Sequence, residues 1–257
     1  MLIGKKKSGS STTGYPQILS DFVLDTLFPI KCLGCGKLSF QKDDTYICSK
    51  CLRSIQIKKQ FECIGCKTNF SLGQTCLNCR KDNHIDQLLI ATNYNNPLVV
   101  KIIKAFKYRF VTNMIGPISL IFKKYIYWLS TQKKYIITAD NPVIIPIPLF
   151  YRRLNWRGFN QSELIAESLA DILQRDYRPD ILLRVKGSKP QADISEKTER
   201  LKNPIKIFQV KNMGLIREKT VLLVDDICTT GATLNECARI LKEAGAKKVT
   251  GLVFARG

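Results

Sequence analysis

Two adjacent carboxylates, Asp225 and Asp226, follow the apolar run Val221–Val224 and precede Ile-Cys-Thr-Thr-Gly-Ala-Thr, which leads into a helical pattern. Four apolar residues in a row are expected of a strand buried on both faces. A short Thr/Gly loop entering a helix N-terminus can cradle a phosphate. Its backbone N–H groups point at the anion, its hydroxyls add donors, and the helix dipole favours negative charge. Gly231 lets the backbone approach closely. Paired carboxylates suit sugar hydroxyls, or a divalent metal, better than a phosphate. The combination reads as a site for a sugar 5-phosphate, with Thr229, Thr230, Gly231, Ala232 and Thr233 on the phosphate and Asp225 and Asp226 on the ribose. The bland alternative is a generic strand–turn–helix with acids at its tip; the paired acids and the Thr-Thr-Gly-Ala-Thr run weigh against it.

A second constellation follows Val143–Ile147, a β-branched run that ends in Pro146-Ile-Pro148. Arg152, Arg153 and Arg157 fall within the next few residues, just before a helical pattern. Arginine offers bidentate donors to phosphate oxygens, so a pyrophosphate would fit there. Without a ligand the segment is simply a basic loop. Cys228, inside the phosphate loop, reads as a small residue and not a nucleophile. The single histidine, His84, leaves no Ser-His-Asp or Cys-His catalysis available.

Eight of the ten cysteines stand as four Cys-x-x-Cys pairs: Cys32/Cys35, Cys48/Cys51, Cys63/Cys66 and Cys76/Cys79. Four thiolates at tetrahedral spacing make a closed structural Zn²⁺ site, and eight make two. Sequential pairing of the four sets is simplest, and a crossed pairing is also possible. A module of this size has little core, so metal binding would supply its folding free energy.

The formal net charge is +20. Between Gln87 and Ala139 there are eight Lys/Arg and no Asp or Glu. A polyanionic partner fits such a segment, with Lys101, Lys104, Lys107 and Arg109 as nucleic-acid contacts interleaved with Phe106, Tyr108 and Phe110, whose alternative is core packing of an amphipathic helix, the favoured reading for Phe106. No uncharged apolar run reaches the ~20 residues of a membrane span. Together with clustered cysteines that read as metal ligands, this places the chain in the cytoplasm as an expectation.

The elements that must position these groups alternate. Residues 1–29 read as a tail followed by a short amphipathic helix at Gln17–Pro29, residues 30–82 as the cysteine module, and residues 83–257 as an α/β domain. Helical patterns cover Pro97–Phe110, Gly116–Leu129, Gln161–Arg175 and Ala232–Ala244. Strand patterns cover Val143–Ile147, Ile181–Val185, Ile207–Val210, Thr220–Asp225 and Lys248–Phe254, and the polar stretch Lys186–Asn203 reads as a long loop. Strands alternating with helices imply a mostly parallel, doubly wound sheet that binds ligands beyond its carboxyl ends.

Residues Val221–Thr233 resemble the phosphoribosyl-pyrophosphate (PRPP) signature of type I phosphoribosyltransferases. Pro-x-Pro followed by Arg152-Arg-Leu-Asn-Trp-Arg157-Gly-Phe-Asn-Gln161 resembles the ComF family of amidophosphoribosyltransferase-like proteins, the ComFC competence proteins and their GntX relatives. That resemblance spans nearly the whole chain and includes Phe106-Lys-Tyr108, the stretch Gln191…Arg200…Asn203, and an N-terminal double zinc ribbon. It implies a phosphoribosyltransferase-type sheet, PRPP bound with Mg²⁺, and a role in natural transformation. In that role the protein would handle single-stranded DNA beside a helicase-like competence protein. It also implies that the 186–203 loop closes over PRPP with Lys186 and Lys189 near the pyrophosphate. Two further functions fit the residues: an active phosphoribosyltransferase on a small acceptor, and a regulator that senses PRPP without catalysis.

Overall fold

The computed structural model describes residues 30–38, 46–108, 112–132, 141–185 and 207–257. The expected helix at 17–29, the loop at 186–203, Arg109 and Phe110 lie outside these residues.

The chain enters through the cysteine module, which carries one short helix, α1 (Ser49–Ser54). It continues as β1 (Gln87–Asn93), α2 (Pro97–Tyr108), α3 (Ile115–Thr131) and β2 (Val143–Pro146). Then follow α4 (Tyr151–Arg157), α5 (Gln161–Leu173), β3 (Leu182–Arg184) and β4 (Phe208–Val210). The last elements are β5 (Thr220–Cys228), α6 (Ala232–Glu243) and β6 (Lys248–Arg256). Four strands form one parallel sheet in the order β1-β6-β5-β2.

Both faces of that sheet are covered, which is why its strands read as unbroken apolar runs. Side chains alternate across a strand. On β5, Leu222 and Val224 join Leu89, Leu252 and Phe254 in a core layer with α2, α3 and α5. Val221 and Leu223 join Leu88 and Val253 in a second layer, against α6 and the β3–β4 hairpin. Each fully buried Val, Leu, Ile or Phe contributes about 1.5–3 kcal/mol by leaving water. Among the described residues no helix is long and apolar enough to cross a membrane.

The parallel α/β reading holds, with three local corrections. Gln87–Asn93, unassigned from sequence, is an edge strand of the sheet. The strands expected at 181–185 and 207–210 form a separate antiparallel hairpin rather than sheet members. The arginine segment is not a loop: Tyr151–Arg157 is helical and is stopped by Gly158 at φ 75°. A left-handed residue at that position is a common helix stop and favours glycine.

Candidate functional site

The site begins where β2 stops. β2 pairs with β5 only as far as Pro146 opposite Val224. β5 runs on to Cys228, paired with β6 alone. Asp225 and Asp226 therefore sit on a flank of β5 that β2 has vacated, which is the crevice such sheets offer to ligands.

Helix starts and ends fill that crevice. Asn160 caps α5 by accepting from Ser162 N at 3.1 Å, and donates to Ile147 O at 3.0 Å and Glu163 Oε1 at 3.1 Å. This Asn-x-x-Glu box fixes the first turn of α5 beside the end of β2. Ser162 Oγ then donates to Asp225 Oδ1 at 2.8 Å, and Asp226 N donates to the same oxygen at 2.8 Å. From the last turn of α2, Lys107 Nζ reaches Asp226 Oδ2 at 2.8 Å. Burial first, and the Asp226 charge second, push the Asp225 carboxyl up to about 7, while the Ser162 and Asp226 donors and Lys107 pull the other way. The two acids thus differ. Asp225 borders the recess formed by the phosphate loop, whereas Asp226 is turned to Lys107 and is 7% exposed.

The recess is small, about 40 Å³, and is lined by Asp225 and by Ile227 through Leu234. Thr229 and Thr230 are exposed at its rim. Gly231 turns the chain into α6 at φ 84° and, as the N-cap residue, has no side chain to cap the helix. Ala232 N donates to Thr230 Oγ1 at 3.3 Å, a long contact that an anion at the helix start would compete for. A Cβ on Gly231 would also stand 3.0 Å from Ile64 Cγ1. Cys228 is buried, and burial pushes its thiol up to about 11, which suits a packing residue and not a nucleophile.

The three arginines separate. Arg152 and Arg153 are exposed on α4. Arg157 is 8% exposed and donates from Nη1 to Gln161 Oε1 at 2.9 Å. Its guanidinium lies 5.3 Å from the Tyr108 ring centroid, and its Nε is buried without a hydrogen-bond partner. Of the three arginines expected at a pyrophosphate, Arg152 and Arg153 are thus open to solvent, whereas the place of Arg157 in the helix turns it inward.

The basic helix divides in the same way. Lys101 and Lys104 are exposed on α2, and Lys101 Nζ donates to Leu33 O at 3.0 Å. Lys107, six residues past Lys101, has turned about 120° around the helix. Its charge is spent on Asp226, so it is a part of the carboxylate site and not of a nucleic-acid surface.

The eight cysteines form two groups, Cys32/Cys35/Cys48/Cys51 and Cys63/Cys66/Cys76/Cys79. Within each group the sulfurs all lie within 4.8 Å of one another, so the pairing is sequential. Backbone N–H groups of Gly34 and Cys48 donate to Cys32 Sγ at 3.4 and 3.3 Å, and Cys76 N donates to Cys63 Sγ at 3.4 Å. Burial opposes ionisation of Cys32, yet these and related donors bring its thiol down to about 6. Four soft sulfur donors, held by such amides, fit a tetrahedral Zn²⁺.

The second sulfur group is fastened to the phosphate site. Arg256, at the end of β6, donates to Glu62 Oε1 at 2.9 Å, Cys63 O at 3.1 Å and Ile64 O at 2.5 Å. Asn235, in the first turn of α6, accepts from His84 N at 2.5 Å and donates to Asp82 O at 2.9 Å. Sequence reasoning missed Arg256, Asn235 and Ser162. Each is an ordinary polar residue whose partner is remote in the chain, and no local pattern marks it.

Comparison with known proteins finds two domain matches. Residues 160–257 match the phosphoribosyl transferase domain and residues 23–83 the double zinc ribbon domain. Competence protein F of Haemophilus influenzae is 32% identical over 235 residues, covering 89% of this chain and 98% of that protein. Competence protein ComFC of Streptococcus pneumoniae is 32% identical over 248 residues, covering 88% of this chain and 100% of that protein. DNA utilization protein YhgH of Escherichia coli O157:H7 is 32% identical over 108 residues, 41% of this chain and 45% of that protein. Similarity at this level along the full length of two competence proteins, with the sulfur groups inside one domain match and the phosphate loop inside the other, makes the chain a member of the ComF family of competence proteins.

Proposed function

We propose that the chain binds PRPP with Mg²⁺ at the β5–α6 loop and handles single-stranded DNA during DNA uptake. The observation that carries the first part is the polar recess at the N-terminus of α6, bordered by Asp225 and by the Thr229–Thr233 backbone. In this reading the N–H groups at the start of α6 and the Thr229, Thr230 and Thr233 hydroxyls hold the 5-phosphate. Asp225 accepts from a ribose hydroxyl, and Arg152 and Arg153 face the pyrophosphate. Asp226 is held by Lys107 and helps to fix Asp225, whose Oδ1 accepts from Asp226 N. Carboxylate oxygens are hard donors and suit Mg²⁺, which would neutralise pyrophosphate charge. In each sulfur group Zn²⁺ would be structural, since all four positions are filled by protein.

The second part rests on the family. Relatives are named for competence and for DNA utilization, and the chain carries a net charge of +20. A helicase-like partner of the same uptake machinery belongs to the same proposal.

The test measures binding of labelled PRPP with Mg²⁺, and of a labelled oligodeoxythymidine, to the zinc-loaded chain and to Asp225→Ala. Loss of PRPP binding with DNA binding retained supports two separable activities. A wild-type chain that binds no PRPP sinks the first part, and one that binds no single-stranded DNA sinks the second. A screen of acceptors for pyrophosphate release then decides whether transfer occurs.

A further inference from the structure

A second groove, of about 710 Å³, opens where the segment joining the two sulfur groups crosses the C-terminal turns of α3. Its walls include Lys58, Lys59, Lys124, Tyr127 and Trp128, with the amides of Gln56, Gln60 and Asn93 between them, and among the described residues no acid lines it. Lys58 is paired with Glu62, so Lys59 and Lys124 carry the free charge. Lys124 and Tyr127 are three residues apart and share a helix face. Tyr127 is 73% exposed, a large aromatic left uncovered beside the groove lysines.

The groove is rigid. Ile57 bridges antiparallel to Thr92, Lys58 N donates to Ala91 O at 2.9 Å, and Thr92 Oγ1 donates to Gln56 O at 2.8 Å. The joining segment therefore lies along the free edge of β1. The opposite wall is fixed by Trp128, which stacks on Phe61 at 5.5 Å and 28° and packs against Tyr125 at 5.7 Å.

Resting on the single-stranded DNA reading above, we infer that this groove is a site for single-stranded nucleic acid. Tyr127 stacks a base, Lys59 and Lys124 contact the backbone phosphates, and the amides line the floor. Uncovered aromatic surface, free lysines and an absence of acids in one rigid groove are the features that single strands require and that a neutral ligand does not. An acidic peptide would use the lysines but leave Tyr127 without a role.

The experiment follows the anisotropy of a fluorescein-labelled oligodeoxythymidine on the full zinc-loaded chain over a range of salt. Lys59→Ala/Lys124→Ala is expected to lower affinity and to reduce the slope of log K against log salt by about 1.4, about 0.7 for each phosphate contact on a single strand. Tyr127→Ala is expected to lose at least about fivefold in affinity with the slope unchanged, and Tyr127→Phe to keep it. PRPP binding by each variant, unchanged from wild type, reports that the fold is intact. If wild type binds the oligonucleotide and the groove variants bind equally well, the groove inference is overturned while the DNA reading stands. If wild type does not bind, both fall. If polyglutamate of equal charge competes as well as the oligonucleotide, the stacking role is overturned.

Discussion

Lys107 Nζ lies 2.8 Å from Asp226 Oδ2, joining the last turn of α2 to the carboxylate flank of β5. The two side chains are 19% and 10% exposed, so the pair is largely dry. Removing the cation alone would leave a buried anion unpaired. Lys107→Met is expected to cost about 2 kcal/mol, below the 3–5 kcal/mol of a fully buried pair because some exposure remains. Thermal melting should show a fall of several degrees. Adding Asp226→Asn to Lys107→Met should recover most of it. If Lys107→Met melts like wild type, the pair contributes nothing and the site's geometry rests on Ser162 alone.

Asp225 supplies a pH dependence with a definite sign. Its carboxyl is pushed up from 3.8 to about 7, by burial and then by Asp226. Below about 3.8 both folded and unfolded chains hold the proton, and the stabilisation is fully present. As pH rises from there to about 7 the unfolded chain releases the proton first, so stability falls across that window and is flat above it. Asp225→Asn mimics the protonated form and can still accept from Ser162 Oγ. Its melting temperature should exceed that of wild type at pH 8, and the difference should shrink at pH 5.5. A difference that does not change with pH would show that Asp225 titrates normally.

The sequence made the chemistry legible wherever it was local. The run from Val221 to Thr233 encodes a strand, a turn and a helix start in contiguous residues. The four Cys-x-x-Cys pairs are likewise self-contained, and only their pairing needed three dimensions. What stayed hidden depends on where helices point. Lys107 and Arg157 both look like solvent-facing bases in a basic segment, yet a turn of about 100° per residue carries each inward, to Asp226 and to Gln161. The strand at Gln87–Asn93 was hidden too. It joins the cysteine module to α2 and is recognisable only by its parallel partner β6, remote in sequence.

Gly231 meets two constraints at once. Its φ of 84° lies in the left-handed region, where a side chain costs about 1–2 kcal/mol. An added Cβ would also sit 3.0 Å from Ile64 Cγ1 and 3.1 Å from its Cδ1. Gly231→Ala should therefore melt lower and lose PRPP binding together. Ile64→Ala in the same chain would clear the contact but not the backbone cost, so it should restore stability only in part. Full restoration by Ile64→Ala would mean that crowding, and not conformation, selects glycine here.

The two sulfur groups are chemically alike, but only one abuts the phosphate loop. Arg256 is held by the carbonyls of Cys63 and Ile64, and Ile64 in turn packs against Gly231. Loss of Zn²⁺ from the second group frees those carbonyls and unseats Ile64, so the disturbance reaches the recess directly. The contacts of the first group run elsewhere: Lys101 Nζ donates to Leu33 O, and Gly34 lies beside Leu98 of α2. Cys66→Ser and Cys35→Ser should each lower bound zinc from two ions to one by metal analysis. PRPP affinity should then fall about five- to thirtyfold in Cys66→Ser, a coupling of about 1–2 kcal/mol, and stay within about twofold of wild type in Cys35→Ser. Equal losses in the two variants would show that zinc acts on the module as a whole. A loss confined to Cys66→Ser would identify the second metal as part of what holds the phosphate loop in shape, because the segment that supplies its thiolates also carries Ile64 and the carbonyls that hold Arg256.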